Sequence, residues 1–301
     1  MSTKPTQSAA ATSGGILLLD KPLGLTSNAA LGRAKRVLGI RKAGHTGALD
    51  PLATGLLPLC FGQATKVSGF LLDADKGYLA EIKLGETTAS GDAEGEVTGG
   101  SEVPELGREQ IEQVLERFRG PIEQVPPMYS ALKHQGRRLH ELARAGIEVE
   151  RKARNIMIYR LDLLDFQSPR LSLRVHCSKG TYIRSLAMDI GQALGCGAHL
   201  VGLRREFSGP FALKHAISLE ALEQMDSEQA RSLLLPPDAA LPETPSVELQ
   251  PAQGVDIGHG KVVDSDQPAA ELVRIYCEKQ FLGLGSIDAL GRLRSRRLFL
   301  D

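Results

Sequence analysis

One isolated carboxylate lies in a stretch of small and apolar residues. Residues 44–60 read GHTGALDPLATGLLPLC, and Asp50 is the one acid among them. Gly44, Gly47 and Gly55 permit backbone angles or close approaches that a side chain would block, and the following proline biases Asp50 toward an extended conformation. An Asp-Pro pair in a Gly-rich segment is also typical of a turn. The window therefore leaves two interpretations, a turn residue or a carboxylate presented for acid–base or nucleophilic chemistry.

Basic residues precede this loop. No acid occurs between residues 21 and 49, whereas the same stretch contains Lys21, Arg33, Lys35, Arg36, Arg41 and Lys42. Basic residues on a helix commonly form a solvated face, but a basic segment that leads into a lone carboxylate favours a polyanionic partner.

The distribution of charge carries more information than its sum. The formal net charge is +0, and nucleic-acid-binding proteins are often basic overall. Residues 133–154, however, hold seven Lys or Arg against three Glu, and residues 86–112 hold eight acids against Arg108. Such segregation allows one face to be positive while the molecule stays neutral.

Residues 44–57 match the pattern G-H-x-G-x-L-D-P-x-A-x-G-x-L at every fixed position. In this they resemble the catalytic loop of the TruB-type tRNA pseudouridine synthases. The resemblance extends over residues 15–205, through the segments GILLLDKPLGLTS, DKGYLAEIKLGETT, IEQVPPMYSALKHQGRRLHELARAGI, HCSKGTYIRSLAMDIGQALGCGAHL and LRR. One departure is Thr88-Ala89-Ser90, where the family often has Thr-Asp-Thr, and it leaves the role of that Asp open.

The resemblance implies isomerisation of uridine to pseudouridine at position 55 in the T-loop of tRNA, with neither cofactor nor metal. Asp50 would be the catalytic carboxylate, either as nucleophile at the anomeric carbon or as base toward the C2′ proton. Tyr78, which by itself could be an ordinary strand aromatic, would stack on the flipped base and take or relay the C5 proton. Arg184 would provide the counter-charge of Asp50; its place in the first turn of a predicted helix, where the macrodipole is positive, independently predicts an anion opposite it.

Substrate contacts are predicted on the same grounds. His45 would stack in the space that the flipped base leaves, Leu203 would wall the pocket, and Lys21 and Pro22 would support Tyr78. Tyr182 is a further predicted substrate-binding residue. Arginines in a basic RNA-binding insertion at about residues 127–154 are expected along the RNA backbone, namely Arg137, Arg138, Arg144 and Arg151.

The predicted fold class is α+β, with a mixed, largely antiparallel sheet in the catalytic domain and a small C-terminal PUA-like β barrel. The predicted domains are a disordered tail (residues 1–14), a catalytic domain (15–241) and the β domain (251–301), with a Pro-rich linker over 242–251. Strands are predicted over 16–19, 78–84 and 171–177, and in the C-terminal part over 272–277, 281–287 and 293–298.

Helices are predicted from periodicity and end signals. One begins at Thr26 or Ser27 and ends at Gly39, one carries apolar residues from Ile111 to Phe118, a basic one ends at Gly146, and one begins at a Thr181 cap. Arg292, Arg294, Arg296 and Arg297 are either an RNA contact or a charged edge strand.

The remaining expectations concern class, location and partners. Four Cys without a C-x-x-C pair predict buried thiols in a reducing cytoplasm. No apolar run reaches membrane-span length, and a monomer without an obligate protein partner is expected. Two other classes stay open: an RNA-folding chaperone or binding module with dispensable catalysis, and a metal-dependent hydrolase built on Asp20, His45 and Asp50.

Overall fold

The computed structural model describes residues 14–130 and 132–299, so the predicted N-terminal tail lies outside the described residues except for Gly14. In chain order the strands before residue 220 are β1 (Ile16–Lys21), β2 (Ala43–His45), β3 (Ala53–Phe61), β4 (Lys76–Leu84), β5 (Thr87–Thr88), β6 (Val97–Gly99), β7 (Gly120–Gln124), β8 (Lys133–His134), β9 (Arg137–Arg138), β10 (Arg154–Gln167), β11 (Arg170–Cys177), β12 (Ala198–Ser208), β13 (Phe211–Ala212) and β14 (Ile217–Ser218). The helices are α1 (Ser27–Leu38), α2 (Ser68–Asp73), α3 (Arg108–Glu116), α4 (Leu139–Arg144), α5 (Ile183–Ala193), α6 (Leu219–Glu223), α7 (Ser227–Ser232) and α8 (Pro251–Gly258), and a 3-10 turn spans Gly62–Val67. The C-terminal strands are β15 (Ser246–Leu249), β16 (Val263–Asp264), β17 (Ala270–Cys277), β18 (Gln280–Ile287) and β19 (Arg292–Leu298).

The main sheet has the strand order β14-β1-β3-β12-β4-β11-β10-β7, with β2 paired to β3 and β13 paired to β12. The pairs β1–β14 and β3–β12 are parallel, and the other neighbouring pairs are antiparallel. The predicted α+β class with a mixed, largely antiparallel sheet is confirmed.

Both faces of the main sheet are covered at β1, which explains its continuous apolar sequence. Leu17 and Leu19 belong to the core that the sheet forms with α1, α3, α5 and α6, whereas Ile16 and Leu18 belong to a second apolar cluster on the opposite face. The second cluster also includes Leu284 of β18, so the C-terminal part packs directly against the main sheet.

The C-terminal strands form an open, curled sheet in the order β15-β17-β18-β19-β16, consistent with a PUA-like domain. The Pro-rich segment predicted as a linker contains β15, which pairs in parallel with β17, so that prediction is wrong. The charged-edge alternative for the C-terminal arginines holds for part of β19, because β16 pairs with it only at Arg292 and Leu293, and among the described residues no strand pairs with the outer edge of β19 beyond Leu293. A pairing partner far along the chain makes the Pro-rich segment a strand, and local composition does not report that partner.

Two local signals gave correct helix ends and one did not. Thr26 caps α1 by accepting the amide of Ala29, and Gly39 ends it in the left-handed region with φ 67°. The N-cap of α5 is Tyr182 instead of Thr181, whose hydroxyl donates to the carbonyl of Ser178. β4 begins at Lys76, two residues before the predicted start at Tyr78.

Candidate active site

One row of residues crosses four strands of the main sheet. Gly55 of β3 lies opposite both Lys21 of β1 and Arg205 of β12, and Tyr78 of β4 also lies opposite Arg205. Residues in register on adjacent strands share a face. Gly55 has φ +98°, and a Cβ there would lie 2.5 Å from the carbonyl oxygen of Arg205, so no side chain fits between these strands. The three polar side chains are thereby brought to one face and buried.

Asp50 lies on a short turn beside this row. The amide of Ala53 donates to the carbonyl of Asp50 at 3.0 Å, and the amide of Gly24 donates to the carbonyl of Pro51 at 2.8 Å. Just before the turn, the hydroxyl of Ser27, at the start of α1, bonds with both the amide and the carbonyl of Leu49. The carboxylate is therefore presented on a backbone that α1 holds in place, while 47% of its side chain remains exposed.

Arg184 is the buried counter-ion of Asp50, as expected from its position in the first turn of α5. Its Nε lies 3.0 Å from Oδ2 of Asp50, and its side chain is 7% exposed. Nη1 donates to the carbonyl of Ser90 at 3.0 Å and lies 3.4 Å from Oδ2 of Asp92, and Nη2 donates to the carbonyl of Tyr129 at 2.6 Å. The contact to Asp50 runs through one edge of the guanidinium, and the remaining contacts fix its plane independently of Asp50.

Burial and neighbouring charges act in opposite directions on the Asp50 carboxyl. Burial raises the pKa of Asp50 above its ordinary value, and the charge of Asp92 raises it further, whereas Arg184 and Lys21 lower it. The net effect is a raised pKa of Asp50, whereas the sequence-based expectation was that Arg184 would favour the charged carboxylate and so lower this pKa. The two cations therefore limit an otherwise larger rise.

Tyr78 is buried, with 7% of the residue exposed. Burial raises the pKa of its hydroxyl, and a hydrogen bond from Arg205 together with the charge of that guanidinium opposes the rise. Asp50 is among the charges that act on the hydroxyl, so Tyr78 lies within the electrostatic reach of the carboxylate. The structure thus brings Asp50, Tyr78 and Arg184 together.

The predicted supporting residues divide into two groups. Lys21 is fully buried, and its Nζ donates to the carbonyls of Pro22 at 2.8 Å and Leu25 at 2.6 Å; burial lowers its pKa to about 8. It therefore fixes the loop after β1, and Pro22 itself is exposed. Leu203 of β12 lies opposite Ala53 of β3 and is partly buried against the main core.

His45 and Tyr182 flank the site from β2 and from the start of α5. The pKa of His45 is lowered by burial and by the charge of Arg205, and its Nδ1 is buried with no hydrogen-bond partner among the described residues. The Tyr182 hydroxyl shares a hydrogen bond with Ser130, and burial raises its pKa. The side-chain amide of Gln124 donates to the carbonyl of Tyr182 at 3.0 Å and accepts from its backbone amide at 2.8 Å, so Gln124 holds the N-cap of α5 where a Thr181 cap was predicted.

The basic insertion is attached to the site at its base. Arg184 holds the carbonyl of Tyr129, and Ser185 donates to the carbonyl of Val125 at 3.1 Å. Beyond this base, the hairpin β8–β9 and helix α4 carry the exposed arginines Arg137, Arg138 and Arg144. Arg151 differs from these three, because it donates to the carbonyl of Pro126 and pairs with Glu148, and its side chain is 23% exposed.

Three site residues were not identified from the sequence. Asp92 is 3% exposed and lies beside Arg184, two residues beyond the Thr88-Ala89-Ser90 departure. Glu94 accepts a hydrogen bond from the amide of Leu52 and lies within the electrostatic reach of Asp50. Arg205 appears in the quoted LRR motif, but nothing local distinguishes it from its neighbour Arg204. An acid between glycines, as in SGDAEG, was the available signal for Asp92.

The metal-hydrolase alternative requires a cluster of ligands that the structure does not provide. Among the described residues, no three His, Cys, Asp or Glu side chains are grouped so that they could hold a metal ion. Asp20 instead pairs with Arg204 at 2.7 Å. The four thiols are free; three are buried, and Cys277 is half-buried, contrary to the expectation of four buried thiols.

No helix within the described ranges is both long and apolar enough to span a membrane.

Comparison with known proteins agrees with this geometry. The family profile described as "TruB family pseudouridylate synthase (N terminal domain)" matches residues 35–183, and two TruB C-terminal profiles match residues 184–242 and 245–299. The chain is 54% identical over 284 residues to "tRNA pseudouridine synthase B" of Azoarcus sp. (strain BH72), covering 94% of each protein. It is 51% identical over 290 residues to the protein of the same name from Pseudomonas aeruginosa (strain UCBPP-PA14), covering 94% of this chain and 95% of that protein.

A solved structure, titled "Structure of H/ACA RNP bound to a substrate RNA containing 2'-deoxyuridine", contains a chain that superposes with a TM-score of 0.73 and 26% identity over 99% of this chain and 88% of its own length. Sequence and fold agree across the whole described chain, and the Asp50 loop lies within the matched N-terminal region. The chain belongs to the TruB family of tRNA pseudouridine synthases.

Proposed function

We propose that this enzyme isomerises the uridine at position 55, in the T-loop of tRNA, with Asp50 as its catalytic carboxylate. The observation that carries the proposal is the half-exposed Asp50 carboxylate, which is ion-paired at 3.0 Å to a buried arginine and has the hydroxyl of a buried tyrosine within its electrostatic reach. Relatives named tRNA pseudouridine synthase B support the substrate class.

The reaction redistributes bonds within one nucleotide. The C1′–N1 bond breaks, the base rotates, and a C1′–C5 bond forms, while a proton leaves C5 and N1 gains one. Asp50 serves either by attacking C1′ or by removing the C2′ proton, and both routes use the same ionised carboxylate. The exposed side of Asp50 is where the ribose of a flipped nucleotide would enter, since a base inside its stack is out of reach.

Arg184 and Tyr78 complete the proposed machinery. Arg184 opposes the burial-induced rise in the pKa of Asp50. It also aims Oδ2 of Asp50, because the carbonyls of Ser90 and Tyr129 together with Asp92 fix the position of the guanidinium. Tyr78 offers a ring face for the flipped base and a hydroxyl that takes or relays the C5 proton.

The RNA contacts follow the distribution of positive charge. Arg137, Arg138 and Arg144 are exposed on an insertion whose base is bonded to α5, so they are suited to the backbone of the T-arm. Arg151 is assigned to holding the insertion in shape instead. A cytoplasmic monomer acting on tRNA without a protein partner is part of the proposal.

The test is position-resolved mapping of pseudouridine in an unmodified tRNA transcript treated with the pure protein. Conversion is expected at position 55 and nowhere else, and a transcript with cytidine at position 55 is the matched control. Conversion at another uridine, or none, would contradict the proposal. A parallel reaction in excess chelator is expected to proceed at the same rate, and loss of activity there would restore the metal-dependent alternative.

A further inference from the structure

Arg205 is a fully buried guanidinium without an acidic partner. It is 1% exposed, and within the described part of the chain it forms no ion pair with an Asp or Glu. Burying an unpaired charge is costly unless its donors are well used. The position of this side chain therefore requires a structural or functional reason.

The donors of Arg205 join three separate parts of the site. Nε donates to the carbonyl of Leu56 in β3 at 2.6 Å, and Nη2 donates to the carbonyl of Gly47 in the loop that leads to Asp50 at 3.0 Å. Arg205 also lies opposite Tyr78 in the pairing of β12 with β4, and the guanidinium acts on the Tyr78 hydroxyl by its charge and by hydrogen bonding. One side chain thus connects the catalytic loop, the strand that follows it and the tyrosine.

We propose that Arg205 is a positioning residue for the isomerisation: it clamps the Gly47 loop to β3 and holds the Tyr78 hydroxyl in place beneath the target base. This inference rests on the role proposed above for Tyr78. Arg205 does not touch the substrate, and it acts through the tyrosine and the loop.

The surroundings strengthen the assignment. Lys21, His45 and Lys76 all have pKa values lowered chiefly by burial and also by the charge of Arg205, so all three lie within the electrostatic reach of this guanidinium. The same charge opposes the burial-induced rise in the pKa of Tyr78. A hydroxyl in such a field is held with its oxygen toward the guanidinium, which directs its proton away from Arg205.

The neighbouring arginine provides a matched control. Arg204 directly precedes Arg205 in β12, and because strand side chains alternate it lies on the opposite face of the sheet. Its side chain is 43% exposed and pairs with Asp20 at 2.7 Å. Arg204→Lys is therefore the same chemical change one residue away from the site.

The experiment compares full-length wild type, Arg205→Lys, Arg204→Lys, Tyr78→Phe and the double variant Tyr78→Phe/Arg205→Lys. For each, the single-turnover rate of pseudouridine formation in a tRNA transcript is measured with enzyme in excess, together with the equilibrium Kd for the same transcript. The compact ammonium of lysine cannot reproduce the planar guanidinium of Arg205, which contacts several groups at once. Arg205→Lys is expected to slow the chemical step by about 10- to 100-fold, the loss of one charge-assisted hydrogen bond, with Kd unchanged within about threefold.

The double variant decides whether the effect runs through Tyr78. If Arg205 acts in part through the hydroxyl and in part through the Gly47 loop, Arg205→Lys should slow the Tyr78→Phe enzyme by a clearly smaller factor than it slows the wild type. Arg204→Lys should match wild type. Fully multiplicative effects of the two substitutions, or an Arg205→Lys rate equal to wild type, would overturn the proposal.

Two controls separate a loss of positioning from a loss of folding and from a failure of the proposed function. Rates are normalised to the folded fraction, measured as tRNA-binding stoichiometry, and Arg205→Gln replaces Arg205→Lys if the latter melts below the assay temperature. A wild-type protein that forms no pseudouridine would refute the proposed function itself, and a wild-type rate in Tyr78→Phe would refute the role of Tyr78 and with it that of Arg205.

Discussion

Substitution of Asp50 by Asn separates chemistry from binding. Asn has the same shape and can still accept a hydrogen bond from Nε of Arg184, but it can neither attack C1′ nor take the C2′ proton. We therefore expect the single-turnover rate to fall by at least about 10⁴-fold, the upper end for loss of one essential acid–base group. The Kd for tRNA should change by less than about threefold, or ~0.7 kcal/mol.

The geometry of Arg184 explains why the site should keep its shape. At 3.0 Å, the Asp50–Arg184 attraction is roughly 5 kcal/mol before desolvation at an effective dielectric of 20, and solvent reduces it because Asp50 is 47% exposed. Asp92 lies 3.4 Å from the same guanidinium, is 3% exposed and is less screened. Together with the carbonyls of Ser90 and Tyr129, it keeps Arg184 in place when the charge of Asp50 is removed.

The same substitution should not destabilise the protein. The pKa of Asp50 is raised in the folded state. The stability that this shift contributes is fully present at pH values below the pKa of Asp50 in the unfolded chain, and it is lost as the pH rises through the pKa of Asp50 in the folded protein. A neutral Asn avoids that decrease. Asp50→Asn is thus expected to unfold at the same temperature as wild type or higher, with a difference that grows from acidic to neutral pH.

The assay is single-turnover conversion beside equilibrium binding and thermal melts, with Asp20→Asn as the matched control. Asp20 pairs with the half-exposed Arg204 outside the site, so its replacement should leave the rate unchanged. Residual turnover near the wild-type rate in Asp50→Asn would show that Asp50 is a turn residue. A loss of tRNA binding as large as the loss of rate would refute the separation of chemistry from binding. An inactive variant that still binds tRNA can also be used to test an RNA-chaperone role.

Further predictions concern the counter-ion and the RNA contacts. Arg184→Lys should lower the single-turnover rate by about 100-fold with Kd nearly unchanged, because an ammonium cannot hold both carboxylates and both carbonyls; an unchanged rate would refute its role. Replacing Arg137, Arg138 or Arg144 by Ala should lower the salt dependence of log K by roughly 0.7 to 0.9 for each lost phosphate contact, whereas Arg151→Ala should mainly lower the melting temperature; a slope that none of them alters would contradict the assignment. Alanine at Arg294 and Arg296, which are exposed on β19, should raise the KM for tRNA more than it lowers kcat, and a truncation at Pro251 is unsuitable because it would remove Leu284 from the packed second cluster.

Local signals determined much of this protein. The apolar run of β1, the Thr26 cap and Gly39 end of α1, and the Gly-rich loop around Asp50 all depend on residues within a few positions of one another. Periodicity and capping act over that distance, which is why sequence reasoning located them. The sequence also predicted Asp50, Tyr78 and Arg184 as site residues, and in the structure Asp50 pairs with Arg184 and acts by its charge on the Tyr78 hydroxyl.

Tertiary structure alone decided which buried charges meet. Strand register placed Arg205 opposite Tyr78 and Gly55, and the packing of α5 placed Asp92 against Arg184. β15 likewise became a strand because it pairs with β17, about 28 residues further along the chain. These pairings depend on long-range packing, in which a shift of one residue would move every side chain to the other face. No local pattern distinguishes Arg205 from Arg204, yet one is buried under the tyrosine and the other lies at the surface.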